Sequence, residues 1–163
     1  MDAISLMRAE LSDAQRIHEM KYRAFLPLFE KYQDEQTSPA MEKIEKVIRQ
    51  LKNGNTDYYL IKLDGEAVGA IRAVRDGLVD GRETMRISPL FLLPEFQGKG
   101  IGYQALMRTM AMYPQAEVWR LATIKEEKGN CHLYEKCGFV RTGERPENER
   151  MTLVFYEMKG VCI

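Results

Sequence analysis

Hydrophobic and polar positions alternate along several short stretches of the chain, a pattern that predicts β-strands. The first such stretch is residues 4–8, and two longer apolar runs, residues 58–63 and 67–74, flank Asp64-Gly65. An Asp-Gly pair between two such runs is a strong signal of a β-hairpin with a type I′ turn. Four more strands are predicted at residues 86–93, 118–122, 139–140 and 151–158.

Apolar residues recur at three- and four-residue intervals in four other stretches, which predicts helices. The first helix is expected to begin after Ser12, a typical N-cap residue, and to end or kink at Pro27. The second is expected to begin at Ser38-Pro39, because proline suits the first turn of a helix. The last two are predicted at residues 102–112 and 131–136.

In chain order the predicted elements read βααβββαβαββ, which describes one mixed sheet flanked by helices. The chain has 163 residues. That length is enough to bury one core and too short for two comfortable domains. We therefore expect a single α/β (α+β) domain over residues 1–163.

Composition and charge narrow the class of protein. The formal net charge is zero, and no basic tract is present. A nucleic-acid partner is therefore not expected, because such partners are held by a surplus of positive charge. The chain begins Met1-Asp2-Ala3 without the basic and apolar regions of a secretory signal. No apolar run approaches the ~20 residues that span a bilayer. These features predict a cytoplasmic protein without membrane contact.

The cysteines do not suggest a disulfide or a metal site. Cys131, Cys137 and Cys162 make an odd count and are expected to be reduced thiols. On a helix, Cys131, His132 and Cys137 would point in different directions, and the sequence offers no second cluster to complete a ligand set. We therefore expect no metal.

A glycine-rich segment gives the clearest chemical signal. Residues 90–102 read LFLLPEFQGKGIG, an apolar strand, a short turn, three alternate glycines and then a helix. Bare glycine amides and a helix N-terminus together form a site for phosphate, which predicts a phosphorylated cofactor. A P-loop would place Ser or Thr where Gly100 follows Lys99, and a dinucleotide fold would need a glycine where Tyr103 stands.

The remaining pattern, Gln97-x-x-Gly100-x-Gly102, resembles the acetyl-CoA loop of the GNAT superfamily of N-acetyltransferases. A second segment, LYEKCGF at residues 133–139, is similar to a motif that lies downstream of the loop in that superfamily. Two motifs in the expected order, with a strand between them, are more specific than either alone.

The resemblance implies a fold and a cofactor. It implies a mostly antiparallel sheet of six to seven strands, splayed at its centre and flanked by about four helices. The implied cofactor is acetyl-CoA, used as acetyl donor without a metal. Its pantetheine arm would be held by the backbone of Phe91, Leu92 and Leu93, with the Leu92 N–H facing the thioester oxygen. Its pyrophosphate would be held by the amides of Gln97, Gly98, Lys99, Gly100, Ile101 and Gly102. The Lys99 side chain would either add charge to a phosphate or lie in solvent.

The resemblance also implies catalytic residues, with one departure. Tyr134 occupies the position of the acid that protonates the leaving thiolate. Many members carry an Asn seven residues earlier, where this chain has Glu127. Asn130 would either contact the cofactor in its place or cap a helix. Glu83, which precedes the central strand, is a candidate general base, with a solvent-exposed charge as the alternative.

The sequence therefore predicts an N-acetyltransferase that acts on a primary amine by direct attack in a ternary complex. A small-molecule amine is the first choice of acceptor. The alternatives are acetylation of a protein N-terminus or lysine, and a non-catalytic acyl-CoA-binding module. The last strand, with Phe155-Tyr156, is expected to be a sheet edge that could pair in a homodimer.

Overall fold

The computed structural model of the protein describes residues 3–35 and 37–160. One sheet of seven strands is flanked by four α-helices, with the strand order β1-β2-β3-β4-β5-β7-β6. The strands are β1 (Ile4–Arg8), β2 (Thr56–Leu63), β3 (Glu66–Val79), β4 (Arg82–Leu92), β5 (Val118–Ile124), β6 (Val140–Pro146) and β7 (Thr152–Lys159). The helices are α1 (Ala14–Tyr32), α2 (Ile44–Lys52), α3 (Ile101–Ala111) and α4 (Lys128–Lys136).

Strand pairing is antiparallel everywhere except between β4 and β5. The β2–β3 hairpin turns at Asp64 and Gly65, whose φ angles of 51° and 87° are those of the predicted type I′ turn. The sheet therefore confirms the predicted mixed, mostly antiparallel α/β architecture.

The core lies on both faces of the sheet. One face packs against α3 and α4 around Trp119, Leu106 and Ile71. The other packs against α1 and α2 around Ile17, Val47 and Leu60. Because successive side chains of a strand point to opposite faces, each central strand contributes to both layers.

Two details of α1 differ from the prediction. The helix is preceded by a short 3₁₀ turn, in which the Asp13 carboxylate accepts a hydrogen bond of 2.8 Å from the Glu10 N–H, so Ser12 is not its N-cap. Of the two outcomes predicted at Pro27, an end or a kink, the structure excludes the end, because the helix continues through Pro27 to Tyr32. The missing proline donor leaves one helical bond unmade. Packing of the buried α1 residues against the sheet maintains the helix nonetheless.

The last two strands also correct the sequence prediction. β6 runs to Pro146, well beyond the predicted residues 139–140, and every one of its residues is exposed. β7 lies between β5 and β6, so Phe155 and Tyr156 are not at a sheet edge. The two sheet edges are β1 and β6. Cys131 and Cys137 are free and buried, and Cys162 lies outside the described residues.

Candidate active site

A gap opens in the middle of the sheet. β4 and β5 pair at only three positions, Thr84 with Val118, Met85 with Trp119 and Arg86 with Arg120. Beyond Arg86, β4 continues to Leu92 while β5 pairs only with β7. One edge of β4 is therefore left without a strand partner, which confirms the predicted splay.

The backbone of Leu92 faces this gap. The Leu93 N–H donates to the Val68 carbonyl on β3 at 2.9 Å. Since the N–H and C=O groups of successive strand residues point to alternate sides, those of Leu92 point away from β3 and into the gap. Phe91 and Leu93 direct their backbone groups toward β3 and bury their side chains beside α1. Of the three predicted backbone contacts, the structure places only Leu92 at the gap.

The glycine loop connects the end of β4 to the start of α3. Gly98 and Gly100 have φ angles of 73° and 81°, a region that residues with a Cβ rarely adopt, and α3 begins at Ile101. Within the described chain, no hydrogen bond occupies the N–H of Gly98, Lys99 or Gly100. Together with the first N–H groups of α3, these donors form a cradle suited to an anion.

Gln97 stabilises the loop in a way that the sequence did not indicate. Its side-chain Nε2 donates to the Leu92 carbonyl at 2.9 Å, and its backbone N–H donates to the Pro94 carbonyl at 3.3 Å. The predicted Gln97 amide contact to pyrophosphate is therefore replaced by a contact within the loop. Lys99 is exposed, with its ammonium 5.8 Å from the centre of the Phe96 ring.

Helix α4 lies beside the start of α3. A Cβ on Gly102 would lie 3.4 Å from the Leu133 Cδ2 atom and 3.8 Å from the Leu92 Cδ1 atom. The Lys136 ammonium lies 4.5 Å from the centre of the Tyr103 ring. The glycine loop, the free end of β4 and the helix that carries Tyr134 therefore meet at one place.

Tyr134 is buried on α4 among aromatic side chains. Its ring centroid lies 6.1 Å from those of Phe139 and Tyr156. Burial raises the pKa of the Tyr134 phenol well above its ordinary value, so the hydroxyl keeps its proton at neutral pH. Its hydroxyl forms no hydrogen bond to another described residue.

Helix α1 crosses the mouth of the gap. The Arg23 guanidinium binds Glu95, just after β4, at 3.0 Å, and the Lys31 ammonium binds Glu127, just after β5, at 2.8 Å. The Tyr32 hydroxyl also donates to Glu127. These anchors lie eight residues apart on α1, which corresponds to about 12 Å of helix.

Glu127, which stands where the resemblance led us to expect Asn, is therefore held by Lys31 and Tyr32. Burial alone would raise the pKa of this carboxyl, but the hydrogen bonds from Lys31 and Tyr32 outweigh burial and lower its pKa. The sequence signal that could have located this contact is the presence of Glu127 in place of the Asn that the resemblance implied.

Two other predicted residues lie elsewhere. Glu83 is exposed at the start of β4, nine residues from Leu92 and thus about 30 Å away along the strand. It is too distant to act as a base on an amine at the gap, and we correct that prediction. Asn130 is an exposed residue inside α4, whose N-cap is Glu127, so the capping interpretation of Asn130 is wrong.

The structure also brings together polar residues that the sequence did not connect. Arg72 on β3 and Tyr58 on β2 are buried opposite each other on the α1–α2 face. The Arg72 Nε donates to the Ser88 carbonyl at 2.6 Å, two residues beyond the last β4–β5 pair. Burial lowers the pKa of this guanidinium. The cluster lies where the gap begins.

Neither a membrane span nor a metal cluster is found in the described part of the chain. In residues 3–35 and 37–160, no helix is long and apolar enough to cross a bilayer. The same residues contain no group of three or more His, Cys, Asp or Glu side chains arranged to hold a metal ion.

Comparison with known proteins agrees with this geometry. Residues 15–139 match the model of the acetyltransferase (GNAT) family. A search of curated proteins found no match to the sequence.

Three solved structures illustrate the similarity in fold. An acetyltransferase from Thermus thermophilus superposes with a TM-score of 0.75 at 20% identity, covering 96% of this chain and 97% of that one. Spermidine N-acetyltransferase from Vibrio cholerae, in complex with CoA and spermine, superposes with a TM-score of 0.74 at 17% identity. The superposition covers 96% of this chain and 95% of that one. The Salmonella typhimurium acetyltransferase that modifies the N-terminal serine of ribosomal protein L7/L12 gives 0.73 at 18% identity, with 96% and 94% covered.

The family match covers well over half of the sequence, and the superpositions extend over nearly all of it. The resemblance first indicated by the glycine loop and by residues 133–139 is thereby confirmed. The chain belongs to the acetyltransferase (GNAT) family.

Proposed function

We propose that the protein transfers an acetyl group from acetyl-CoA to a primary amine by direct attack in a ternary complex. The observation that carries the proposal is the free edge of β4 at Leu92, directly followed by the glycine cradle at the start of α3. Acetyl-CoA bound in the gap would have its pyrophosphate at the cradle and its thioester carbonyl beside β4.

Charge in the transition state would be stabilised by Leu92. Attack of the amine nitrogen on the thioester carbon places negative charge on the carbonyl oxygen, which requires a donor. The Leu92 N–H faces the gap and does not belong to the β3–β4 ladder. The N–H groups of Gly98 to Gly102 would bind the pyrophosphate.

Tyr134 would supply the proton that the departing CoA sulfur takes when the carbon–sulfur bond breaks. Its raised pKa keeps the phenol protonated at neutral pH, so the proton is in place when the thiolate leaves. Its neighbour Leu133 contacts the same Gly102 position as Leu92, which places the helix at the cradle.

A small acceptor suits the mouth of the gap better than a folded protein. α1 crosses that mouth between its contacts with Glu95 and Glu127. Of the fold neighbours, one is named for spermidine and another for a ribosomal protein N-terminus, so both acceptor classes occur on this fold. The position of α1 across the mouth favours a small-molecule amine over a protein N-terminus.

Binding of the cofactor is the first test. Titration calorimetry with acetyl-CoA and CoA, with ATP and NAD as controls, should show binding of the two CoA species only. Absence of CoA binding, or preferential binding of ATP or NAD, would contradict the proposal.

The role of Tyr134 is tested separately by Tyr134→Phe. Loss of a general acid should lower kcat by about 100-fold, with the CoA dissociation constant nearly unchanged. Tyr22→Phe, at an exposed position of α1, is the matched control and should keep the wild-type rate. A Tyr134→Phe enzyme with an unchanged rate would remove this residue from the mechanism.

A further inference from the structure

The Arg72 cluster, defined as Arg72, Tyr58 and the Ser88 carbonyl, contains donors that the protein itself does not satisfy. Arg72 is only 8% exposed, yet its guanidinium forms no ion pair with any carboxylate of the described residues. Within residues 3–35 and 37–160, its side chain forms a single hydrogen bond, from Nε to the Ser88 carbonyl. Buried charges are normally paired, because an unpaired buried charge is costly.

Tyr58 adds a second unsatisfied group at the same place. It is 2% exposed, and its hydroxyl has no hydrogen-bond partner within the described part of the chain. Tyr58 and Arg72 are directly opposed on neighbouring strands, where side chains lie about 5 Å apart at their Cβ atoms. A buried hydroxyl without a partner therefore lies beside a guanidinium that forms no ion pair within the described part of the chain.

The surrounding charges do not supply the missing acceptor. Glu42 is already bound by Lys21 and by Lys46, the latter at 2.6 Å, and Asp76 is bound by Arg86 at 3.2 Å. The neighbourhood has more cations than carboxylates even without Arg72. Two lysines, Lys21 and Lys46, share Glu42, and Arg86 pairs with Asp76. An anion would satisfy both the positive charge of this neighbourhood and its free donors.

The position of the cluster connects it to the reaction. Ser88 lies just past the last β4–β5 pair and four residues before Leu92, about 13 Å along the strand. The cluster therefore contacts the strand that carries Leu92, at the end of the gap where β4 and β5 separate. An acceptor held at Arg72 would lie between the start of the gap and the thioester.

We propose that the acceptor is an amine that also carries an anionic group, a carboxylate or a phosphate, bound by Arg72 with the Tyr58 hydroxyl as a further donor. The inference rests on the proposed acetyl transfer and names its substrate class. A polycationic amine would meet uncompensated positive charge at the same site.

Matched acceptors test the inference in the wild-type enzyme, with thiol release as the readout. Amino acids are compared with their amides, O-phosphoethanolamine with ethanolamine, and all of these with spermidine. A charge-assisted contact predicts at least about a 10-fold higher kcat/KM for the anionic member of a pair. The two pairs distinguish carboxylate from phosphate.

Variants connect the preference to the cluster. Arg72→Gln should reduce the ratio of anionic to neutral acceptor to near one, chiefly through KM. Arg145→Gln removes the charge of an exposed, paired arginine on the distant edge strand β6 and should keep the ratio. Tyr58→Phe should lower the ratio by a few fold. If Arg72→Gln does not fold, the acceptor comparison and Tyr58→Phe still decide the question.

The outcomes separate this inference from the proposed function. Binding of CoA with thiol release from spermidine or neutral amines in preference to anionic ones overturns the inference alone. An equal loss with all acceptors in Arg72→Gln also overturns it. Absence of CoA binding overturns the proposed function, and CoA binding with no release from any amine overturns both.

Discussion

Asp57 and Tyr58 are neighbours on β2, and they point into two buried polar clusters of opposite character. On one face, the Asp57 carboxylate binds Arg8 at 2.7 Å, accepts from the Tyr113 hydroxyl at 2.6 Å and also pairs with Arg75. On the other face lies the Arg72 cluster, whose donors outnumber its acceptors.

The difference separates a structural cluster from a binding one. The Asp57 cluster, defined as Asp57, Arg8, Arg75 and Tyr113, joins three strands to the segment after α3, and both carboxylate oxygens are occupied. Buried polar networks of this kind, when fully satisfied, hold one arrangement of the core. Unsatisfied donors instead carry a desolvation cost that a ligand can offset.

The strongest test removes the centre of the satisfied cluster. Asp57→Ala leaves the buried Tyr113 hydroxyl without its acceptor and removes the partner of two partly exposed arginines, and it should cost about 3 kcal/mol of unfolding free energy. The half-exposed pair of Asp76 with Arg86 supplies the control, and Asp76→Ala should cost less than about 1 kcal/mol. Denaturant unfolding measures both. Equal losses of unfolding free energy in the two variants would contradict the distinction between the buried Asp57 carboxylate and the more exposed Asp76 carboxylate.

The Asp57 and Arg72 clusters can be compared more directly by removing one tyrosine hydroxyl from each. Tyr113→Phe removes a hydrogen bond to a charged group and should cost about 1.5–3 kcal/mol. Tyr58→Phe removes a buried hydroxyl without a partner and should change the unfolding free energy by less than about 0.5 kcal/mol, or increase it slightly. Thermal unfolding of the two variants would contradict the comparison if Tyr58→Phe lost as much as Tyr113→Phe.

The smallest expected effect is a pH dependence. Burial would raise the pKa of Asp57, but hydrogen bonds from Tyr113 and Arg75 outweigh it and hold the pKa below its ordinary value. A depressed folded-state pKa stabilises the protein above the unfolded pKa, near ~4, and this contribution is lost as pH falls through the folded value. Asp57→Asn should therefore show a shallower acid loss of stability than the wild type. Parallel curves would contradict this.

The sequence predicted the parts of the site that depend on neighbouring residues. Local turn chemistry located the Asp64-Gly65 hairpin, and helical spacing located α3, predicted at residues 102–112 and observed at Ile101–Ala111. The glycine loop was found because strand, turn and helix are consecutive in the chain. Each of these signals is contained within a window of about a dozen residues.

The parts that were missed depend on distant contacts or on weak patterns. Tertiary packing overrides the helix-breaking tendency of Pro27, and the exposed, polar β6 has no apolar alternation to reveal it. Glu83 precedes the central strand in sequence, but strand length separates it from the gap. Tyr58 and Arg72 face each other because of the register between β2 and β3, which the sequence does not reveal. The Ser88 carbonyl reaches Arg72 from the neighbouring strand β4.

The length of α1 between its two ion pairs sets the distance between the two points at which the helix is attached beside the gap. Its two anchors, Arg23 and Lys31, lie eight helix residues apart and contact the segments that follow the separated strands β4 and β5. Insertion of one residue between them would lengthen the spacing by about 1.5 Å and rotate the second anchor by about 100°. The distance between the two anchors can therefore change only in steps of one helix residue. Substitutions on α1 can alter the side chains that face the opening more easily than they can alter the width of the opening.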